Sequence, residues 1–283
     1  MAQTTELKKI AEGREAEMFA WGEGKILRLM RGSDAWQRAQ VERDMLVLKG
    51  AREHGVRVPE VFEMAEVMGR PGLVMERVDG ADLLTLIGRQ PWKVWWVAGI
   101  GGRVHARMHE VVAPPEVEST RARITRMLTQ SPQVPKAVAE AALMALAELS
   151  DGDKLSHGDF HPANILMDGD EPVIIDWSNV SRGDPMADVA RSLVILETGE
   201  PPPGTAFPIR VMAMFGRRLL TSAYVRAYRR AASLDMDLVR RWKRVRLADR
   251  LADSIPEERP KILGALSRAY GIPLYHRSGR LGP

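Results

Sequence analysis

HGDFHPANIL, residues 157–166, sets His157, Asp159, His161 and Asn164 within eight residues, with Gly158 and Pro162 between them. Pro162 lacks a backbone N–H and has a fixed φ, so it does not belong in a helix interior. Leu155, Phe160, Ile165 and Leu166 supply apolar anchors on either side. The stretch reads as a polar loop pinned at both ends, which makes it either a surface turn or a site.

The strand after the loop favours a site. PVIIDW, residues 172–177, is an apolar strand that delivers Asp176 at its end. Asp159, Asn164 and Asp176 then form a set of one carboxylate on a loop, an amide five residues on, and a second carboxylate across a hairpin. Phosphoryl transfer needs such a set. One carboxylate orients the attacking hydroxyl and accepts its proton, while oxygen ligands hold Mg²⁺ against nucleotide phosphates.

Working outward, the pattern changes near residue 80. Before it come short β-like runs, LKKIA, EMFAW and KILRLM, the last two separated by Gly22-Glu23-Gly24 as a hairpin turn. A helix is predicted next, capped by Ser33 or Asp34 and ending near Gly55, then two more strands in VPEVFEM and PGLVMERV. From Asp82 onward helical periodicity prevails, broken by KLSHGD, NILM and PVIID. Strands first and helices later is an α+β pattern in two lobes, divided here into residues 1–78 and 79–283.

Composition excludes several classes. With 45% apolar and 28% charged residues the chain is not a disordered one. No apolar run approaches the roughly 18 residues of a membrane span. The opening MAQTTELKKI lacks a leader's apolar stretch, and the absence of cysteine excludes disulfides and thiolate metal sites. These features predict a cytoplasmic protein with no membrane partner. Residues 210–250 carry twelve Lys/Arg against three acids, Asp235, Asp237 and Asp249. The arginines alternate with apolar residues at helical spacing, as in LVRRWKRVRLADRLAD, so a solvated helix face is a better reading than a nucleic-acid surface.

HGDFHPANIL followed by IIDW resembles the catalytic and metal-binding segments of the aminoglycoside phosphotransferase family, itself similar to choline kinases and protein kinases. The resemblance is strongest over 155–190. It implies a protein-kinase-like bilobal fold, with a small β-rich N-lobe and a larger, mostly helical C-lobe. It also implies an ATP- and Mg²⁺-dependent transfer to a small-molecule hydroxyl acceptor, either an aminoglycoside or other antibiotic, or a metabolite alcohol. By this match Asp159 is the catalytic base, and Asn164 and Asp176 are metal ligands. His161 either contacts the transferred phosphate or hydrogen-bonds the loop, and Asp188 in GDPMADVAR braces the loop backbone. In KILRLM, Arg28 stands where the family presents a phosphate-binding lysine, with Lys25 facing the other way, and Glu42 is expected to pair with it. A catalytically impaired nucleotide-binding scaffold is the rival reading; Arg28 alone favours it, and Asp159, Asn164 and Asp176 together argue against it. Gly13 in GREAE would open the phosphate-covering loop, and Glu76 and Val78 match the hinge that bonds adenine through backbone groups.

Three other features are open to a ligand or a structural reading. His105 and His109 in HARMH sit four apart on a helix, as zinc ligands can, but lack the glutamate of HExxH, so helix packing is expected. Trp92, Trp95 and Trp96 are expected to pack in the core or between lobes. Asp249, Asp253, Glu257 and Glu258 are the obvious late acids for a polycationic acceptor.

Overall fold

The computed structural model describes residues 7–13, 15–199 and 207–274, with the side chains of 207–214 excepted. The described residues fall into two compact units, one drawn from Met1–Thr85 with Ala163–Ser178, the other from Leu86–Pro162 with Asn179–Pro283.

In the first unit, β1 (Lys9–Glu12), β2 (Ala16–Ala20) and β3 (Lys25–Met30) run antiparallel, followed by α1 (Ala35–Glu53), β4 (Val61–Val67) and β5 (Arg70–Glu76). The sheet order is β1-β2-β3-β5-β4. The β2–β3 turn uses Gly22 and Gly24 at φ 72° and 65°, a conformation glycine adopts without a Cβ penalty. Strand alternation sends Leu27 and Leu29 to one face, where Val74, Phe19 and Trp21 join them. Arg28 and Met30 point to the opposite face. Helix α1 starts at Asp34, whose carboxylate accepts from Gln37 N–H at 2.9 Å. Its buried stripe is Gln40, Val41, Asp44, Val47, Leu48 and Ala51, so a carboxylate sits inside an otherwise largely apolar face.

Helix α2 (Leu83–Arg89) carries the chain from one unit to the other, followed by α3 (Val94–Met108), α4 (Thr120–Gln130), α5 (Lys136–Ala147) and β6 (Lys154–Ser156). Strands β7 (Ile165–Asp168) and β8 (Glu171–Ile174) form a hairpin that belongs to the first unit. Backbone bonds explain why: Ile174 N–H reaches Arg57 O, and Met167 N–H reaches Ala81 O, both at 3.0 Å. A linear division at 78/79 misses this return of the chain.

The rest of the second unit is β9 (Ser181–Gly183), paired with β6, then α6 (Pro185–Thr198), α7 (Phe207–Ala231), α8 (Met236–Ala252) and α9 (Arg259–Tyr270). Helix α3 packs against α7, and α6 against α8. Asp184 caps α6 by accepting from Met186 N–H at 2.8 Å, with Pro185 at the first helical position. This cap fixes where Asp188 falls on the helix. The tryptophans at 92, 95 and 96 depart from expectation: they are 73%, 53% and 45% exposed. Val94, Val97 and Ala98 share the same i, i+3, i+4 spacing and take the inward face of α3 instead. The whole is the expected α+β arrangement of a β-rich N-terminal unit and a mostly helical remainder. No helix among the described residues is long and apolar enough to cross a membrane.

Candidate active site

In the second unit the 157–162 loop is held from below by Asp188. This fully buried carboxylate accepts His157 N–H at 2.6 Å and Gly158 N–H at 2.9 Å. It also takes the Nε2 atoms of His105 at 3.1 Å and His109 at 3.4 Å. Burial alone would push Asp188 up, but the hydrogen bonds from the two imidazoles outweigh it and hold the carboxyl well below its usual range. Gly158 has φ +77° and a Cβ there would lie 2.3 Å from Asn179 O, so the loop accepts only glycine at this point. His157, the first residue of the loop, turns its Nδ1 back to accept Asp159 N–H at 3.3 Å.

The histidine pair thus has a purpose that its spacing left open. His105 Nδ1 meets Tyr224 OH at 2.6 Å, and His109 Nδ1 meets Tyr228 OH at 2.7 Å. Burial raises both phenols, so they stay protonated. Phe160 stacks on His105 with ring centroids 3.9 Å apart. The ligand atoms of His105, His109 and Asp188 lie within 4.8 Å of one another, as a cation site requires, yet each ring nitrogen already has a hydrogen-bond partner. The acid partner that HARMH lacks in sequence is Asp188, 79 residues further along the chain.

Burial, with repulsion from His109, lowers His105 from its usual 6.5 to about 3, so it is neutral in the folded protein. The unfolded chain binds that proton at higher pH than the folded one. Stability is therefore fully present above about pH 6.5 and falls as pH drops toward 3, with a slope approaching about 1.4 kcal/mol per pH unit. Urea midpoints measured from pH 7 to pH 4 should decline along this window. His105→Gln should flatten that part of the decline; an unchanged slope in the variant would remove the assignment.

Asp159 itself is partly exposed, and His161 Nε2 lies 3.6 Å from its Oδ2. Burial raises the Asp159 carboxyl, but the His161 hydrogen bond and the charges of His161, Arg191 and His157 together hold it far below the usual carboxylate range. Arg191, on α6, donates from Nε to Gly158 O at 3.1 Å and pairs with Asp253. Arg246 bonds Asp249 at 3.0 Å, and Arg250 bonds both Asp253 and Glu258. Three of the four late acids are thus engaged in internal ion pairs. Arg246 and Arg250 are buried, while Lys243 reaches Glu197 and Arg241 caps Glu148 O. Arg218, Arg226, Arg229, Arg230, Arg240, Arg241 and Arg244 are exposed, as a solvated face requires, while Arg246 and Arg250 depart from it; the side chain of Arg210 lies outside the described residues. A helical wheel cannot distinguish a solvated arginine from one whose acid is a turn away on the buried side.

The first unit holds the remaining expected residues. Asn164 and Asp176 lie at the open end of the β7–β8 hairpin, where Ile175 N–H donates to Asn164 O at 3.0 Å. Asp176 adopts φ +60°, a conformation uncommon outside glycine, and accepts Ser178 Oγ–H at 2.9 Å. An amide just before one strand and a carboxylate just after its neighbour offer oxygen donors of the kind that suits a hard cation such as Mg²⁺.

Arg28 is buried, and its Nη2 pairs with Asp44, not with Glu42. The correction is one of helix geometry. Residues 42 and 44 are about 200° apart around an α-helix, and Glu42 is exposed where Asp44 faces the sheet. Burial pushes Asp44 up against the opposing pull of Arg28. Lys25 sits over the Phe62 ring at 4.3 Å, a cation–π contact on the other side of the strand. The Glu76 carboxylate is taken by Arg57 at 2.6 and 2.7 Å and by Glu60 N–H at 2.9 Å. An adenine contact at Glu76–Val78 would therefore run through backbone groups. Gly13 N–H bonds Ala16 O at 2.8 Å, closing the GREAE turn, and Arg14 within it lies outside the described residues.

No curated protein matches the chain in sequence. Among solved structures, an amicoumacin kinase in complex with AMP-PNP, Ca²⁺ and Ami has a TM-score of 0.64 at 15% identity, covering 95% of this chain and 88% of that one. An aminoglycoside-3'-phosphotransferase of type VIII has 0.61 at 17%, covering 86% and 93%. Choline kinase from Cryptosporidium parvum Iowa II has 0.56 at 13%, covering 93% and 88%. Identities this low speak for a shared protein-kinase-like fold. The model of the phosphotransferase enzyme family matches residues 6–218, most of the chain, and the chain belongs to that family.

Proposed function

We propose that the chain is an ATP-dependent O-phosphotransferase acting on a small-molecule hydroxyl. Asp159 orients the acceptor and takes its proton, and His161 acts beside it on the transferred phosphate or the loop. Asn164 and Asp176 hold Mg²⁺, which when bound neutralises charge on the nucleotide phosphates. Arg28 anchors those phosphates, and the Glu76–Val78 backbone receives the base. The observation that carries the reading is Asp159 on a loop whose backbone is fixed by Asp188, in a chain of this family. The nucleotide complexes among its structural neighbours, with AMP-PNP, ADP and GDP, support nucleotide use.

Arg28 with Asp44 is a longer cation matched to a shorter acid, so the charge pair persists with its lengths exchanged. That supports an active enzyme over an impaired scaffold. The engagement of Asp249, Asp253 and Glu258 with arginines favours a metabolite alcohol over a polycationic antibiotic as acceptor. A panel of alcohols, amino alcohols, sugars and aminoglycosides with ATP and Mg²⁺, read by mass for an added phosphoryl group, tests the proposal. Transfer to none of them would overturn it, and transfer to aminoglycosides alone would reverse the acceptor preference. Asp176→Asn should abolish most of the Mg²⁺-dependent tightening of ATP binding, because a carboxylate charge is lost from the oxygen set. An unaltered metal response in calorimetry would take Asp176 out of the ligand role.

A further inference from the structure

Gly158, the residue before the base, is gripped on both of its backbone polar groups by one helix. Asp188 accepts Gly158 N–H at 2.9 Å, and Arg191, three residues later on α6, donates to Gly158 O at 3.1 Å. At i and i+3 the two side chains share a helix face. We infer that Arg191 is a positioning residue for the base, fixing the Gly158 carbonyl and setting a permanent positive charge beside Asp159. This rests on the phosphotransferase reading above.

The rest of the site explains why an arginine is needed. Gly158 sits in the left-handed region against Asn179, so its carbonyl direction decides where Asp159 leaves the turn. A single side chain must hold that carbonyl and also meet acids on α8: Arg191 bonds Asp253 through Nη2 and lies 3.5 Å from Asp249 through Nη1. A guanidinium spreads its donors over three nitrogens in a rigid fork, whereas an ammonium carries all its donors on one atom. The charges facing it are Asp159 from the loop, Asp249 and Asp253 from α8, and Arg246 and Arg123 beyond them. Arg191 opposes protonation of Asp159 together with His161 and His157, and its guanidinium is a permanent charge.

The test uses Arg191→Met, Arg191→Lys and the double variant Arg191→Met/Asp253→Asn, the last removing an acid that loses a partner. Steady-state kinetics on the acceptor found in the panel should show kcat lowered about 10–100-fold in Arg191→Met, the scale expected when a positioned base is displaced. The KM for ATP should stay within a few-fold. The acid limb of the kcat profile should move to higher pH, and Arg191→Lys should restore the limb more than kcat. The double variant should recover thermal stability without recovering kcat. Wild-type kcat in a folded Arg191→Met protein, or recovery of kcat together with stability in the double variant, would overturn the inference. Amide exchange over residues 157–160 gives a readout without turnover. Faster exchange in Arg191→Met supports the clamp even if no acceptor is found, an outcome that would defeat the functional reading alone, and unchanged exchange overturns it.

Discussion

Asp159→Ala lowers turnover by about 10²–10⁴-fold while leaving nucleotide affinity within a few-fold, the usual contribution of a positioned general base. The expectation rests on the loop's construction. Asp159 is partly open, is held ionised, and comes after a glycine fixed at both its N–H and its C=O. Its own backbone N–H is taken by His157 Nδ1, so truncating the side chain leaves that backbone bond in place while removing the contact with His161. The variant should fold as the wild type does, and single-turnover kinetics with ATP binding measured in parallel checks the claim. Near-normal turnover in a folded Asp159→Ala protein would sink the assignment of the base.

The second large effect is on folding. Asp188→Ala removes the acceptor of four buried donors: two backbone N–H groups and two imidazoles. Each buried donor left unpaired costs about 1–3 kcal/mol, so the loss is several kcal/mol, a large share of a typical domain's stability. Asp188→Asn fares little better, because its amide turns a donor toward groups that are already donors. Chemical denaturation should show a much lower midpoint, with exchange at His157 and Gly158 amides rising ahead of global unfolding. A change of less than about 1 kcal/mol would mean that the network is not what holds the loop. Asp159→Ala and Asp188→Ala thus separate the two roles of neighbouring carboxylates: one affects rate at constant stability, the other stability first and rate as a consequence.

The features legible along the chain are those that depend on neighbours in sequence. The turn at Gly22–Gly24, the Asp34 cap, the alternation in KILRLM and the glycine–proline punctuation of HGDFHPANIL all act over a few residues. Their physics is local: φ limits, capping and side-chain periodicity. The same locality lets Asp159, Asn164 and Asp176 be proposed together from the chain alone, since they fall within 18 residues.

Partner choice lies beyond that range. Arg28 takes Asp44 and not Glu42 because the sheet meets one face of α1, and the face depends on how the helix docks. HARMH reads as a bare pair of histidines until α6 supplies Asp188 and α7 supplies two tyrosines. The acids and arginines of 240–258 look solvated along the chain, yet several pair inside the helical unit, where an unpaired charge would be too costly to bury. The tryptophans err in the other direction: Trp92, Trp95 and Trp96 share their spacing with Val94, Val97 and Ala98, and only the docking of α3 decides which set is buried. Sequence periodicity states that a helix has an apolar face and which residues share it. Which face is covered, and which opposite charge meets a buried one, is decided by long-range packing, because burial and Coulomb energies depend on distances that the chain's order does not contain.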